Sequence, residues 1–447
     1  MFNFNPTKPL LTLADLKLEG LSDTERVIYW TIVLTPVWWL LGIQPIFYPG
    51  VIAFLLITNF DLHKLFNLSL PACAWTWLAM ALLMLWTALL GINEMGFSFQ
   101  VTAAAIITFF KSYFLIFACL AIPFWNQVRL WVITRAVAWM TTGYIIVLLI
   151  EMALLVLGIG NRAILPPFAR LIPGDKGSLM IILASVQRFF GIPLPRTVLY
   201  TPDPPILGIC AVLCFFICLG EKNRRLRQLA LAGCWCALIV SFSRIAWVCL
   251  PIALIISGLF SKHLVRQFSL WTASVTFLIS GILGLTFGQL LSKPIETFNQ
   301  ARAESSSERA IVVQKTLEAW QEKPLLGWGV IRGAAWLYDD VYIGLGSFST
   351  YAAVLYLNGI VGFIFFVIAL LATLLSFYAP AIRGNLFAQR AFACLLVLYV
   401  QCNATPLSWM AVYLWFFFLW LGGILKEAEE EPVAVSSWED LAAKKQW

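Results

Sequence analysis

Residues 351–378 read YAAVLYLNGIVGFIFFVIALLATLLSFY, a stretch without a single charged side chain. A helix of this length crosses a hydrocarbon layer about 30 Å thick, because each residue adds about 1.5 Å along the axis. Similar apolar runs recur along the chain, which is 61% hydrophobic and 12% charged. A soluble domain is about 25% charged. The sequence therefore predicts an all-α, polytopic membrane protein.

About twelve membrane spans are predicted, after a mixed polar N-terminal segment at residues 1–26. Residues 27–291 hold spans one to nine, and residues 351–425 hold spans ten to twelve. Two connecting segments are long: 159–205, and the larger 292–350 between spans nine and ten. The individual spans are predicted at 27–41, 45–59, 72–91, 99–121, 130–158, 206–220, 227–241, 245–260, 268–291, 351–378, 386–402 and 406–425.

Lysine and arginine are unevenly distributed among the connecting loops. The short loops near 42–44, 92–98 and 403–405 carry neither residue, whereas the loops on the other side of the predicted membrane carry several. Basic residues in short loops favour the cytoplasmic side. Both termini, including the tail 426–447, are therefore predicted to be cytoplasmic, and the two long segments are predicted to face outward.

Each long outer segment contains one predicted helix. In the first, SLMIILASVQRFFG (178–191) has the pattern of an amphipathic helix lying at the membrane interface. In the second, Ser305 and Glu308 fit a capping box, and Pro324 stops the helix. The apolar stripe of this second helix, at helical spacing, is predicted to consist of Ala310, Val313, Leu317 and Trp320.

Arginines on the predicted outer side are the leading candidates for ligand binding. Arg244 stands in a short turn between two spans, where a charge is costly and opposes the orientation signal. Arg309 lies in the first turn of the second outer helix. The planar fork of arginine suits diphosphate oxygens, which indicates a lipid-diphosphate-linked substrate. Snorkelling, or contact with anionic lipid headgroups, is the alternative. The outward arginines are Arg188, Arg196, Arg244, Arg302 and Arg309.

Few other charged residues are candidates for catalysis or ion binding. Lys111 and Glu151 fall inside predicted spans, and a structural ion pair is the preferred interpretation over an ion-coupled relay. The chain has only two histidines, both in predicted cytoplasmic loops, so the outer face has no imidazole base. The adjacent acids Asp339 and Asp340 are more often solvated than metal-bound, so neither a metal nor another cofactor is predicted.

Four motifs together resemble the O-antigen ligase and O-antigen polymerase family. The turn SFSR (241–244) resembles its Ser-x-Ser-Arg turn. ESSSERAIVVQKTLEAWQEKPLLGWGV (304–330) resembles its outer-loop signature, an arginine-bearing helix that ends in Pro-x-x-Gly-x-Gly. GSFSTYAAVLYLNGIVG (346–362) resembles the element that follows. RFFGIPLPRTVLYTPDPPILG (188–208) is similar to the loop before the sixth span.

This resemblance implies a metal-independent, inverting-type glycosyltransferase of the bacterial inner membrane. Such an enzyme moves a glycan from a polyprenyl diphosphate to a glycan or lipid acceptor at the outer face, beside a flippase and a chain-length regulator. It implies no nucleotide sugar and no nucleic acid. By resemblance, Arg244 and Arg309 hold the diphosphate as catalytic residues. The expected substrate-binding residues are Arg188, Arg196, Ser347, Phe348 and Tyr351.

The sequence departs from the family pattern at Phe348, where ligase members usually place histidine. Phenylalanine cannot accept a proton, so this departure argues against a ligase step with a histidine base and is compatible with a polymerase. Asp339, Asp340 or Tyr351 are the candidate substitutes for the missing base.

A transporter is the alternative function, because some relatives in the family are described as bicarbonate transport proteins. A non-catalytic relative of that kind would bind or move a solute and would not change polymer length. It would depend on Lys111 and Glu151 more than on Arg244.

Overall fold

Helices make up most of the described chain, as the recurring apolar runs predict. The computed structural model describes residues 20–58, 70–171, 179–183, 185–189, 192–261, 303–336 and 342–430. The helices are α1 (Asp23–Val33), α2 (Thr35–Leu41), α3 (Gln44–Thr58), α4 (Ala72–Glu94), α5 (Phe99–Lys111), α6 (Tyr113–Trp125), α7 (Leu130–Val156), α8 (Pro204–Cys218), α9 (Arg224–Ser241), α10 (Arg244–Ser261), α11 (Ala303–Gln321), α12 (Thr350–Ile382), α13 (Leu386–Gln401), α14 (Leu407–Met410) and α15 (Trp415–Glu430).

Four stretches of helix among the described residues are long and apolar enough to cross a membrane: α4, the α5–α6 pair, α7 and α12. Large apolar side chains on them stay exposed, such as Leu149 at 65% and Leu375 at 63%. Exposed apolar surface of this extent is typical of a lipid-facing protein. The structure thus indicates a multi-pass membrane protein. The helices α3, α8, α10 and α13 are apolar but shorter, and the predicted ninth span lies outside the described residues.

The helix α15 forms the centre of the bundle. Residues 411–425 are all buried, including the large side chains of Trp415 and Trp420. A helix that is apolar on every face is stable only when other helices surround it. The helices α6 and α7 pack directly against α15, while α12 packs on α4 and α13.

The predicted span 99–121 is interrupted in the structure. The helix α5 ends at Lys111, Ser112 has non-helical dihedral angles (φ −111°, ψ −117°), and α6 begins at Tyr113. Lys111 therefore lies at a helix C-terminus, where the exposed carbonyl groups favour a positive charge. It does not lie within one continuous helix as expected.

The all-α fold class is confirmed, and the described residues add three short antiparallel strand pairs. The interfacial helix predicted at 178–191 is wrong: β-branched residues there extend as strands, a conformation that they favour, and each strand finds a partner nearby. The strands are β1 (Arg162–Ile164) with β2 (Ile181–Leu183), β3 (Val186–Phe189) with β4 (Ile192–Pro195), and β5 (Ala334–Trp336) with β6 (Tyr342–Gly344).

The predicted outer helix exists, but its start and its buried face differ from the prediction. The helix α11 begins before Ser305, so Ser305 does not cap it. Val312 and Thr316 are fully buried, whereas the predicted stripe member Ala310 is exposed. Thr316 can be buried because its hydroxyl donates to the carbonyl of Val312 (2.6 Å) and accepts from the backbone N–H of Gly346 (3.0 Å). Because the Thr316 hydroxyl is hydrogen-bonded in the interior, the buried face of α11 is rotated relative to the predicted apolar stripe.

Candidate functional site

Arg244 is the first residue of α10, directly after a tight turn at the end of α9. Phe242 takes a left-handed conformation (φ 45°), which reverses the chain. The hydroxyl of Ser241 donates to the carbonyl of Leu238 (2.7 Å) and accepts from the N–H of Ser243 (3.2 Å). The Ser241 hydroxyl therefore stabilises the turn that places Arg244 at the tip of a helical hairpin, as the sequence predicts.

Arg196 lies against the same turn. Its Nε donates to the carbonyl of Ser241 (3.1 Å), and its Nη1 donates to Oε1 of Gln187 (2.5 Å). The backbone N–H of Thr197 donates to the carbonyl of Val240 (3.2 Å). Arg196 is buried, and its guanidinium satisfies the carbonyl of Ser241 at the C-terminus of α9. The sequence places these two segments in separate motifs, and the structure joins them.

Arg188 belongs to the hairpin that precedes Arg196. It lies on β3 and pairs in register with Pro193 on β4. The hairpin ends at Pro195, so the chain passes directly from it to Arg196 and the turn. The backbone therefore brings the Arg188 strand into the same region as Arg244, while a contact of its side chain with substrate stays a prediction.

Arg309 and Phe348 are in direct contact. The guanidinium carbon of Arg309 lies 5.2 Å from the centroid of the Phe348 ring, within the range of a cation–π interaction. Phe348 is half-buried and packs against a small apolar cluster of the outer segment. That cluster consists of Val312, Ala335, Leu345 and Tyr356. Arg309, predicted as a catalytic residue, and Phe348, predicted as a substrate-binding residue, are thus in contact with each other.

The hydroxyl groups around Phe348 hold the backbone together. Ser347 donates to the carbonyl of Gly344 (2.6 Å), and Tyr351 donates to the carbonyl of Tyr399 (2.9 Å). Ser349 caps α12 by accepting from the N–H of Ala352. The expected contact of Ser347 and Tyr351 with substrate stays a prediction, and the structure adds these hydrogen bonds as a second role.

The two arginine sites lie at the same end of the helix bundle. Thr350, at the start of α12, donates its N–H to the carbonyl of Cys402, just past the end of α13 (2.8 Å). Near the start of α10, the thiol of Cys249 donates to the carbonyl of Val397 in α13 (3.9 Å). The starts of α10 and α12 therefore meet the end of α13. We call this end of the bundle the Arg244 end.

The Pro-x-x-Gly-x-Gly sequence inserts into a break in α12. Helix α12 is interrupted at Gly359 (φ 63°, ψ −167°), which frees backbone groups that a continuous helix would pair. The segment 324–329 takes their place: Trp328 N–H donates to the carbonyl of Tyr356 (2.9 Å), and the N–H of Ile360 donates to the carbonyl of Pro324 (2.8 Å). Gly327 has φ 68°, and a Cβ there would lie 2.6 Å from the carbonyl carbon of Leu357. The glycine spacing therefore permits a close backbone-to-backbone approach.

Charged and aromatic side chains fasten this inserted segment to the end of α4. Arg332 donates from Nη2 to the carbonyl of Gly91 (2.7 Å) and to Oε2 of Glu94 (3.1 Å), and Lys323 also pairs with Glu94. Both cations lie over the ring of Trp328, at 4.9 Å for Arg332 and 4.6 Å for Lys323. The sequence gives no local signal for this anchor, because its members lie more than 200 positions apart.

The expected ion pair between Lys111 and Glu151 is wrong. Glu151 is completely buried in α7, and within the described part of the chain neither of its carboxylate oxygens has a hydrogen-bond partner. The residue approaching it is Thr197, whose hydroxyl oxygen accepts from the N–H of Leu199 (3.1 Å). Glu151 therefore faces the outer segment next to Arg196, whereas Lys111 ends a different helix.

The fold and these sites define a class: a multi-pass helical membrane protein with arginines gathered at one end. Residues 229–367 match the family model described as O-antigen ligase. The resemblance drawn from the motifs is thereby confirmed over these residues, which are similar to the O-antigen ligase domain. The matched region contains Arg244, Arg309, the inserted glycine segment and Phe348. A search among curated proteins found no match to the chain.

Proposed function

We propose that the protein transfers a glycan from a polyprenyl diphosphate to a glycan or lipid acceptor, at the outer face of the bacterial inner membrane. The observation that carries this proposal is the placement of Arg244 and Arg309 at one end of the bundle, both within the O-antigen ligase domain. Exposed apolar helix surface beside them suits a polyprenyl chain. Arg188 is proposed to extend the positive surface toward the glycan, and the buried Arg196 to support the turn that carries Arg244.

The chemistry follows from the charge that develops on the leaving group. The bond between the anomeric carbon and the diphosphate oxygen breaks, and its electron pair stays on the diphosphate. The acceptor oxygen forms the new bond to that carbon and loses its proton. Arginine stabilises the developing negative charge through charge-assisted hydrogen bonds. An oxocarbenium-like transition state requires less activation of the acceptor oxygen.

The proton acceptor is proposed to be Asp339 or Asp340. Phe348 has no basic group, and the proton of the Tyr351 hydroxyl is engaged with the carbonyl of Tyr399. The two aspartates lie outside the described residues, in the connection between β5 and β6 that leads toward Phe348.

The proposed topology places the Arg244 end outward and both termini in the cytoplasm, with about twelve spans in total. The distribution of lysine and arginine among the loops supports this orientation. It brings the diphosphate to the leaflet that a flippase would supply, and it leaves a chain-length regulator free to act from the same side.

Replacing either arginine tests the proposal in cells that depend on this protein for a surface polysaccharide. Arg244→Ala and Arg309→Ala should each shorten or abolish the polymer, with losses of about 10²-fold or more, because each removes a donor to the developing charge. Arg224→Ala is the matched control: this exposed arginine starts α9 at the opposite end and should leave the polymer unchanged. Normal polymer from both test variants, at normal protein levels, would contradict the proposal.

Transport of a bicarbonate-like solute is the second candidate, and the buried carboxylate of Glu151 favours it. An acid without a cationic partner inside a membrane helix often marks a pathway for ions or protons. Transport predicts that Glu151→Gln abolishes solute flux while Arg244→Ala does not. Glycan transfer predicts that Arg244→Ala shortens the polymer and that Glu151→Gln does not. The two variants therefore separate the two candidate functions.

A further inference from the structure

We propose that Phe348 is a positioning residue that holds the guanidinium of Arg309 in its working orientation. The inference rests on the proposed function, because it assigns Arg309 to the diphosphate. It gives Phe348 a role different from substrate contact: its ring acts through Arg309 and need not touch the glycan.

The contact is built into the fold from both sides. Arg309, Val312 and Thr316 are spaced three and four residues apart, so they lie on one face of α11. Val312 and Thr316 are fully buried on that face, and the Thr316 hydroxyl accepts from the N–H of Gly346 (3.0 Å). This hydrogen bond fixes the turn preceding Phe348 against α11. The ring is thereby brought under the guanidinium of Arg309, 5.2 Å away.

The chain on either side of the ring is held as firmly. Ser347 donates to the carbonyl of Gly344 (2.6 Å), which closes the turn after β6. Ser349 caps α12, and Thr350 both donates to the carbonyl of Thr405 (2.8 Å) and accepts from the N–H of Leu407 (2.8 Å). Phe348 therefore has little freedom to leave Arg309.

An aromatic ring suits this task better than a carboxylate. A carboxylate would neutralise the arginine and compete with a diphosphate for the same donors. A ring face attracts the cation through its quadrupole but carries no charge. A ring face is not a conventional hydrogen-bond acceptor, so this contact takes up none of the five N–H donors of the guanidinium. The contact with Phe348 therefore orients Arg309 without neutralising its charge.

The test compares ring-removing and ring-preserving variants of the full-length protein in a transfer assay with a polyprenyl-diphosphate oligosaccharide. Phe348→Leu should lower kcat about 2- to 30-fold, the range expected for losing one cation–π contact, while KM for the acceptor stays unchanged. Phe348→Tyr keeps the ring face and should retain activity close to that of the unaltered protein. Phe387→Leu is the matched control, because Phe387 lies under Arg390 (5.7 Å) at the opposite end of α13.

Two results would overturn the inference: full activity in Phe348→Leu, or equal losses in Phe348→Leu and Phe348→Tyr. Thermal unfolding of each variant separates positioning from loss of fold. If Phe348→Leu does not fold, Phe348→Met replaces it, since methionine fills a similar volume without a ring. Arg309→Ala distinguishes failure of the proposed transfer function from failure of the positioning role of Phe348. Full activity in Arg309→Ala refutes the proposed function, whereas inactive Arg309→Ala with fully active Phe348→Leu refutes only the role of Phe348.

Discussion

The carboxylate of Glu25 is buried at the end of the bundle opposite Arg244, and four donors surround it. Arg129 donates from Nε (2.8 Å), Nη2 (2.6 Å) and its backbone N–H (3.0 Å), and Ser22 donates its backbone N–H (3.0 Å). Burial raises the pKa of Glu25, but the hydrogen bonds from Arg129 and Ser22 outweigh burial and hold that pKa below its usual range. This single residue joins α1 to the start of α7.

Replacing Glu25 with glutamine should destabilise the protein by about 1–3 kcal/mol, because the amide cannot accept all of these charge-assisted hydrogen bonds. The folded pKa is depressed, so the stabilisation is present above the unfolded pKa and is lost as the pH falls through the folded value. Thermal unfolding at about pH 7 and about pH 4 should show this loss in the unaltered protein and a smaller one in Glu25→Gln.

Asp23→Asn is the matched control for this experiment. Asp23 pairs with Arg26 at 3.1 Å, but its side chain is 98% exposed, so its contribution to stability is small. Equal effects of Glu25→Gln and Asp23→Asn would show that burial of Glu25 does not matter. The spacing of Ser22 and Glu25 is readable in the sequence as a capping box. The pairing with Arg129 is not, because it depends on how α1 docks 104 positions away.

Among the elements, α12 shows most clearly where sequence patterns succeed and where they fail. Its apolar run predicts a membrane helix, and the helix is present. The run does not predict the break at Gly359, because the break exists only where the segment 324–329 supplies the missing backbone hydrogen bonds. A local apolar pattern carries no information about a partner segment from the outer loop. The misassigned helix at 178–191 has a related cause, since its two strands are stabilised by pairing with the neighbouring segments 162–164 and 192–195.

Gly359→Ala should destabilise the protein by about 2–4 kcal/mol, which combines a strained backbone with a steric clash. The dihedral angles of Gly359 are accessible to glycine almost exclusively, and a Cβ there would collide with the carbonyl of Leu325. The loss should appear as a lower thermal midpoint or as failure to accumulate folded protein.

Gly384→Ala serves as the comparison for this substitution. Gly384 also has a positive φ (96°), but a Cβ there meets nothing within 4 Å. The substitution should therefore cost only the backbone strain, about 1–2 kcal/mol. If Gly384→Ala destabilises the protein as much as Gly359→Ala does, the insertion into α12 is not the source of the effect.

At the scale of the whole molecule, the sequence predicts the membrane class and the order of the motifs, and the structure shows how the motifs assemble. Arg244 stands out in the sequence as a cation where charge is costly, and Arg309 as a cation on the predicted outer helix. Their placement at one end follows from the packing of α10 and α12 on α13. The contact of Arg309 with Phe348 depends on the face that α11 buries. That face centres on the fully buried Val312 and Thr316, which the predicted apolar stripe does not include.

The most direct test of the central claim is transfer by the purified protein in lipid vesicles, with a polyprenyl-diphosphate oligosaccharide as donor. We expect the unaltered protein to lengthen or transfer the glycan and to release polyprenyl diphosphate. Arg244→Ala and Arg309→Ala should lose about 10²-fold or more of this rate, while Arg224→Ala retains it. Equal rates in all four proteins, or flux of a bicarbonate-like solute without any glycan product, would contradict the account.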